Sequence, residues 1–197
     1  MAVVTIHVGA KPRPVHPAWL QDVLADISNP DLRGAILNSK RFAERITGLL
    51  LGGRAATIPL PPADPALKRL AKVLGDDFLY RLGQLWLAPV LAEHVISPKG
   101  RIWPGLNDRH LLCLVLKYRN HAPRNAMGPM LPEPDFFLEG VNCVRIWLQE
   151  HNEKQISQRL TLILPPQSTE ISSPDARLSF LDKALSDPDV TEGLKNA

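Results

Sequence analysis

The residue types able to do chemistry are few in this sequence and widely spread. Six histidines stand at positions 7, 16, 94, 110, 121 and 151, and no two are spaced i, i+4. A metal ion needs ligands that converge at short spacing. His110 and Cys113 are at i, i+3 and share a helix face, but no second pair lies near them in sequence. They read as a half-buried histidine beside a core thiol, and no metal or cofactor is expected. A nucleophile needs a base and an orienting partner. The sequence has no Gly-x-Ser-x-Gly elbow, no Cys-x-x-Cys and no His-x-x-x-His. Cys143, between Val141 and Val144 on the core side of a helical pattern, reads as an inert thiol. Leu51-Gly-Gly-Arg54 is the nearest approach to a phosphate loop, and it lacks the Gly-Lys-Ser/Thr that would reach phosphate and magnesium. It reads as a helix stop. The paired acids Asp76-Asp77 suit a helix N-terminus, where carboxylates favour the dipole, and Glu133 and Asp135 are the other close acidic pair. No catalytic residue is assigned, and the chain reads as a protein that is not an enzyme.

Charge carries more information than chemistry. Between Lys99 and Arg124 there are six basic residues, Lys99, Arg101, Arg109, Lys117, Arg119 and Arg124, against the single acid Asp108. From Glu170 onward six acids face three bases. This basic set is the candidate partner-binding surface, set beside an acidic C-terminal tail. The net charge of +3, from 23 basic and 20 acidic residues, is too balanced to imply nucleic acid. Of four tryptophans, Trp86 and Trp147 fall within apolar stripes and read as core. Trp19 lies beside a helix stripe. Trp103, in the loop Ile102-Trp-Pro-Gly, is either a binding anchor or a ring that pins its own loop.

The elements that must position these residues are mainly helical. Leu20, Val23, Leu24 and Ile27 give the i, i+3, i+4, i+7 stripe of a helix over 16–27. Asn29-Pro30 and Asp64-Pro65 each read as an N-cap followed by proline at the first helical position. The first opens a helix that the pattern extends to Leu50, stopped by Gly52-Gly53. Leu67, Leu70, Ala71 and Leu74 form the stripe of the second, ended by Gly75. A helix follows over Asp77–Leu87, which Pro89 breaks. Asn107 caps a helix over Arg109–Tyr118, with Leu111, Leu114, Val115 and Tyr118 on one face. Phe137, Val141, Val144 and Leu148 mark a helix over Phe136–His151. Arg159–Leu164 is β-rich and reads as a strand, and Ser173-Pro174 caps a final helix. At the N-terminus, Val3, Val4, Ile6 and Val8 form a strand-like run.

The fold class is therefore mainly α, with about seven helices, one or two short strand segments and Pro-rich connectors. The chain divides into an arm or strand at 1–15, a main helical domain at 16–166, and a C-terminal helix with an acidic tail at 167–197. Its 197 residues, 45% of them hydrophobic and 22% charged, form a globular composition able to bury a core. Nineteen prolines against 12 glycines give about twice the average proline share, which stiffens the connectors. Two cysteines suit a reduced, cytoplasmic environment rather than a disulfide framework. No apolar run approaches the length of a membrane helix, and the N-terminus lacks a signal-peptide pattern.

Several segments together resemble the SctK/YscK family of type III secretion sorting-platform accessory proteins. His16-Pro-Ala-Trp-Leu20 is similar to a short His/Pro segment near the start of those proteins. Arg81-Leu-Gly-Gln-Leu-Trp-Leu87, leading to Ala92-Glu-His-Val95, is similar to their central Arg-Leu-Gly helix. Glu139-Gly-Val-Asn-Cys-Val-Arg-Ile-Trp-Leu148 and Arg159-Leu-Thr-Leu-Ile-Leu-Pro165 resemble a Trp-bearing helix followed by a strand-like segment. The resemblance covers most of residues 16–166, and its motifs are short and hydrophobic. It implies a non-catalytic adaptor, cytoplasmic and docked at the inner membrane through its partners alone. Those partners are the cytoplasmic domain of the inner-membrane ring and the pod protein that carries the export ATPase. Two rival readings remain: a small helical enzyme assembled from scattered residues such as His94, Asp108 and His110, and a helical nucleic-acid-binding regulator. No RNA-binding aromatic motif or helix-turn-helix accompanies the basic set.

Overall fold

A computed structural model describes residues 4–8, 11–53, 60–96, 108–122, 135–166 and 174–191. Two short strands, β1 (Thr5–Val8) and β2 (Lys11–Pro14), precede four helices: α1 (Pro17–Val23), α2 (Pro30–Asn38), α3 (Lys40–Leu50) and α4 (Pro65–Val73). There follow α5 (Asp76–Trp86), α6 (Ala88–Ile96), α7 (Arg109–Tyr118), α8 (Phe136–Glu150), α9 (Lys154–Thr161), α10 (Pro174–Ser186) and α11 (Pro188–Thr191). The class is mainly α, as the patterning requires, with one two-stranded sheet. None of the described helices is long and apolar enough to cross a membrane. The chain forms two compact units: the first combines Met1–Ala71 with Leu148–Thr169, the second Lys72–Trp147 with Glu170–Ala197.

The first unit is organised around the β1–β2 hairpin, antiparallel with Ile6 opposite Arg13 and His7 opposite Pro12. Val4, Ile6 and Val8 are buried on one face of β1, the period-2 pattern of a half-buried strand. Pro12 and Pro14 have no N–H to give, which suits β2 to a sheet edge. Helix α9 packs on β1, and Arg159 Nη1 donates to the His7 carbonyl at 2.7 Å. Trp19 Nε1 donates to the Leu164 carbonyl at 2.8 Å, and His16 N to the Leu162 carbonyl, also at 2.8 Å. The His/Pro segment near the start is thereby tied to the Arg-Leu-Thr-Leu-Ile-Leu segment some 145 positions on. Both proline-led helices start as expected. Asn29 Oδ1 accepts from Asp31 N and Leu32 N, and Asp64 Oδ1 from Ala66 N and Leu67 N. Glu153 reinforces the second start by accepting from Ala63 N and Asp64 N.

In the second unit α5 and α8 cross with almost no space between their backbones. A Cβ on Gly83 would lie 1.7 Å from the Phe136 carbonyl oxygen, and one on Gly140 would lie 1.8 Å from that of Leu79. Only glycine at both positions permits this approach. Trp86, Tyr118 and Phe180 are fully buried. Phe180 meets Trp86 edge to face at 5.2 Å and Tyr118 at 5.8 Å, the arrangement that ring quadrupoles favour. The buried Arg177 stacks on Trp86, 4.3 Å from the ring centroid, and is neutralised by Glu139 at 2.6 Å. Trp147 is core as well, its Nε1 donating to Asp182 Oδ1 at 2.6 Å.

Four expectations need correction. The helix expected from Pro30 to Leu50 is two helices, because Ser39 is extended at φ −88°, ψ 119°; serine competes well with helical backbone geometry. The strand expected over Arg159–Leu164 is instead the end of α9 and the turn after it. Its period is helical once the window includes Ile156, buried with Leu160 at i, i+4. The β-branched Thr161 is accommodated by Oγ1 bonding back to the Ser157 carbonyl at 2.9 Å, so packing overrides propensity. Helix α1 stops at Val23 rather than at residue 27. The described cap of α7 is Asp108, whose Oδ1 accepts from His110 N at 2.8 Å; Asn107 lies outside the described residues. Pro89, in the first turn of α6, separates it from α5 as anticipated.

Candidate functional site

Of the six basic candidates, Arg109, Lys117 and Arg119 are described; Lys99, Arg101 and Arg124, like Trp103, lie outside the described residues. Arg109 opens α7 and Arg119 caps its C-terminus, both exposed. Lys117 differs from them. Its Nζ lies 2.6 Å from Asp187 Oδ2 and 3.1 Å from Asp189 Oδ2. Asp187 is buried and also accepts from the Tyr118 hydroxyl at 3.0 Å. Burial pushes the Asp187 carboxyl up, but the hydrogen bonds from Lys117, Tyr118 and the Asp189 backbone outweigh it and hold the group below its ordinary value. The hydrogen bonds of Lys117 to the Asp187 and Asp189 carboxylates raise Lys117 in turn. At Lys117, then, the basic stretch and the acidic C-terminal segment meet each other within the second unit.

Of the residues of the enzyme reading, Asp108 and His110 are described. The Asp108 carboxylate is occupied as a helix cap, and His110 is exposed, its Nε2 3.4 Å from the Asp189 carbonyl. The side chain of His94 lies outside the described residues. Among the described residues no three of His, Cys, Asp and Glu converge to hold a metal ion. Cys113, expected in the core, is exposed: it falls off the Leu111–Leu114–Tyr118 stripe that α7 buries. Cys143 is fully buried, and desolvation pushes its thiol up to about 12, which leaves it protonated and unreactive.

One concave surface stands out, in the first unit. A groove of about 610 Å³ runs between the C-terminal end of α3 and α9, with Trp19, Leu49, Leu148, Ser157, Thr161 and Leu162 among its lining. Among the described residues no acid lines it, and Lys154 is its one cation. Leu49 is 66% exposed at the rim, and Phe42, seven positions earlier on the same face of α3, is 46% exposed. The Ser157 hydroxyl is buried without a hydrogen-bond partner among the described residues. Neither α1 nor α2 buries a single residue. The sequence reading missed this surface. Its signal was the apolar spacing Phe42–Leu49 on α3, which had been absorbed into one long helix.

Comparison of the chain with protein-family models, curated proteins and solved structures finds no match.

Proposed function

We propose that this chain is a non-catalytic, cytoplasmic adaptor of a type III protein secretion system. It links the cytoplasmic domain of the inner-membrane ring to the sorting-platform pods that carry the export ATPase. The observation that supports this reading is how the SctK/YscK-like segments pair. The Arg81–Leu87 segment and the Glu139–Leu148 segment meet at the Gly83–Gly140 crossing. The His16–Leu20 segment is bonded to the Arg159–Pro165 segment through Trp19 and His16. The helical form of Arg159–Thr161 departs from the strand-like segment that the resemblance implies.

The test is to tag the protein in its native host, crosslink gently and identify the co-purifying proteins by mass spectrometry. Inner-ring and pod components are expected, and their yield should fall in the double variant Arg109→Glu/Arg119→Glu. Lys117 is left intact there because it holds the buried Asp187. Recovery of neither component from cells that have assembled the secretion apparatus would overturn the reading.

A further inference from the structure

We propose that the groove between α3 and α9 is the docking site for an acidic, amphipathic helix of a protein partner. Trp19, Leu49, Leu50, Leu51, Leu148 and Leu162 give it an apolar side, Gln149, Gln158 and Thr161 a polar one, and exposed Phe42 lies beyond it on α3 at i, i+7 from Leu49. An 11-residue helix is about 16 Å long, the length over which a partner helix of three turns inserts anchors at i, i+3 or i+4, and i+7. The sign of the partner follows from the cations. Arg41 and Arg45 are exposed on α3, and Lys154 lines the groove. None of the three makes an ion pair among the described residues. Arg45 lies one turn before Leu49 on the same face, whereas Glu44 is turned about 140° away from Leu49. An incoming helix thus meets positive charge along its edge and, among the described residues, no carboxylate in the groove.

This inference does not rest on the adaptor reading. It names the chemistry of a bound segment whatever machinery supplies it, so either can fail without the other. The test pans a display library of peptides of about 15 residues, roughly four helical turns, on the full-length chain. Enriched peptides should carry apolar anchors at helical spacing flanked by Asp and Glu. Leu49→Asp should lower their affinity about tenfold or more. Arg45→Glu should lower it as well, with a loss that shrinks as salt rises. Both positions are exposed, so melting should not change; if Leu49→Asp does alter it, Gln158→Trp occludes the groove from another exposed position. Enrichment of basic or purely apolar peptides, no enrichment, or acidic binders indifferent to both groove variants would each overturn the proposal. So would sedimentation as a dimer that Leu49→Asp dissociates, which would assign the groove to a second copy.

Discussion

Gly83 and Gly140 set how closely α5 and α8 approach, and the obstacles a side chain would meet are backbone carbonyls that cannot rotate away. Alanine at either site must push the helices apart and loosen the buried contacts around them. We expect Gly83→Ala or Gly140→Ala to destabilise the protein by roughly 1 to 3 kcal/mol, read from chemical denaturation. Gly34 supplies the control. It lies inside α2 with nothing within 4 Å of a built Cβ, so Gly34→Ala should raise stability by roughly 0.5 to 1 kcal/mol. Equal effects at Gly34 and Gly140 would mean that helix propensity, not packing, governs both.

At the scale of elements, the two units contain helices of contrasting character. Helix α8 is buried on every side from Gly140 to Leu148, with Asn142 and Arg145 among the buried residues. Helix α2 buries nothing and leaves Leu32 51% exposed. Such a helix is held by its Asn29 cap and its neighbour α3 more than by core contacts, and a short helix is marginal on those terms. Hydrogen exchange followed by mass spectrometry should find α2 amides exchanging at least about tenfold faster than those of α5 and α8. A bound acidic helix in the adjoining groove should slow exchange in α3. Protection of α2 equal to that of α8 would show that the full-length chain covers it.

Across the whole molecule, one buried or capping carboxylate in each unit links stability to pH. In the first unit Asp64 is held below its ordinary value, chiefly by the backbone hydrogen bond from Leu67, with His151 contributing. In the second, Asp187 is held down by Lys117 and Tyr118 against its burial. A carboxylate with a lowered folded-state value contributes stability that is complete above its unfolded value and lost as pH falls through the folded one. Melting temperature should therefore drop as pH is lowered from about 5 to 3. In Asp64→Asn and in Asp187→Asn the protein should be less stable at pH 7 and the acid-induced drop shallower. A drop of unchanged steepness in both variants would move the acid sensitivity to other groups.

Much of the local structure was legible in the sequence because its causes are local. Asn29-Pro30, Asp64-Pro65 and Gly52-Gly53 fix helix ends through a side-chain cap, a preset φ and a left-handed turn, with φ of 65° and 82° at the two glycines. The stripe of α7 named its own buried face, and Trp86 and Trp147, read as core from their apolar stripes, are buried. The candidate site was less legible. Whether Lys117 faces a partner or Asp187 depends on a residue 70 positions away that periodicity does not place. The same holds for α9, where a β-rich composition became helix once Arg159 had the His7 carbonyl to reach and Ile156 and Leu160 had β1 to cover. The sequence by itself determined the helix starts at Pro30 and Pro65, the stop at Gly52-Gly53 and the apolar stripe of α7, since those are set by contacts within a turn or two. Only the tertiary structure decided which charges cancel, which glycines touch and where a groove stays uncovered. Those outcomes depend on which distant segments compete for the same space.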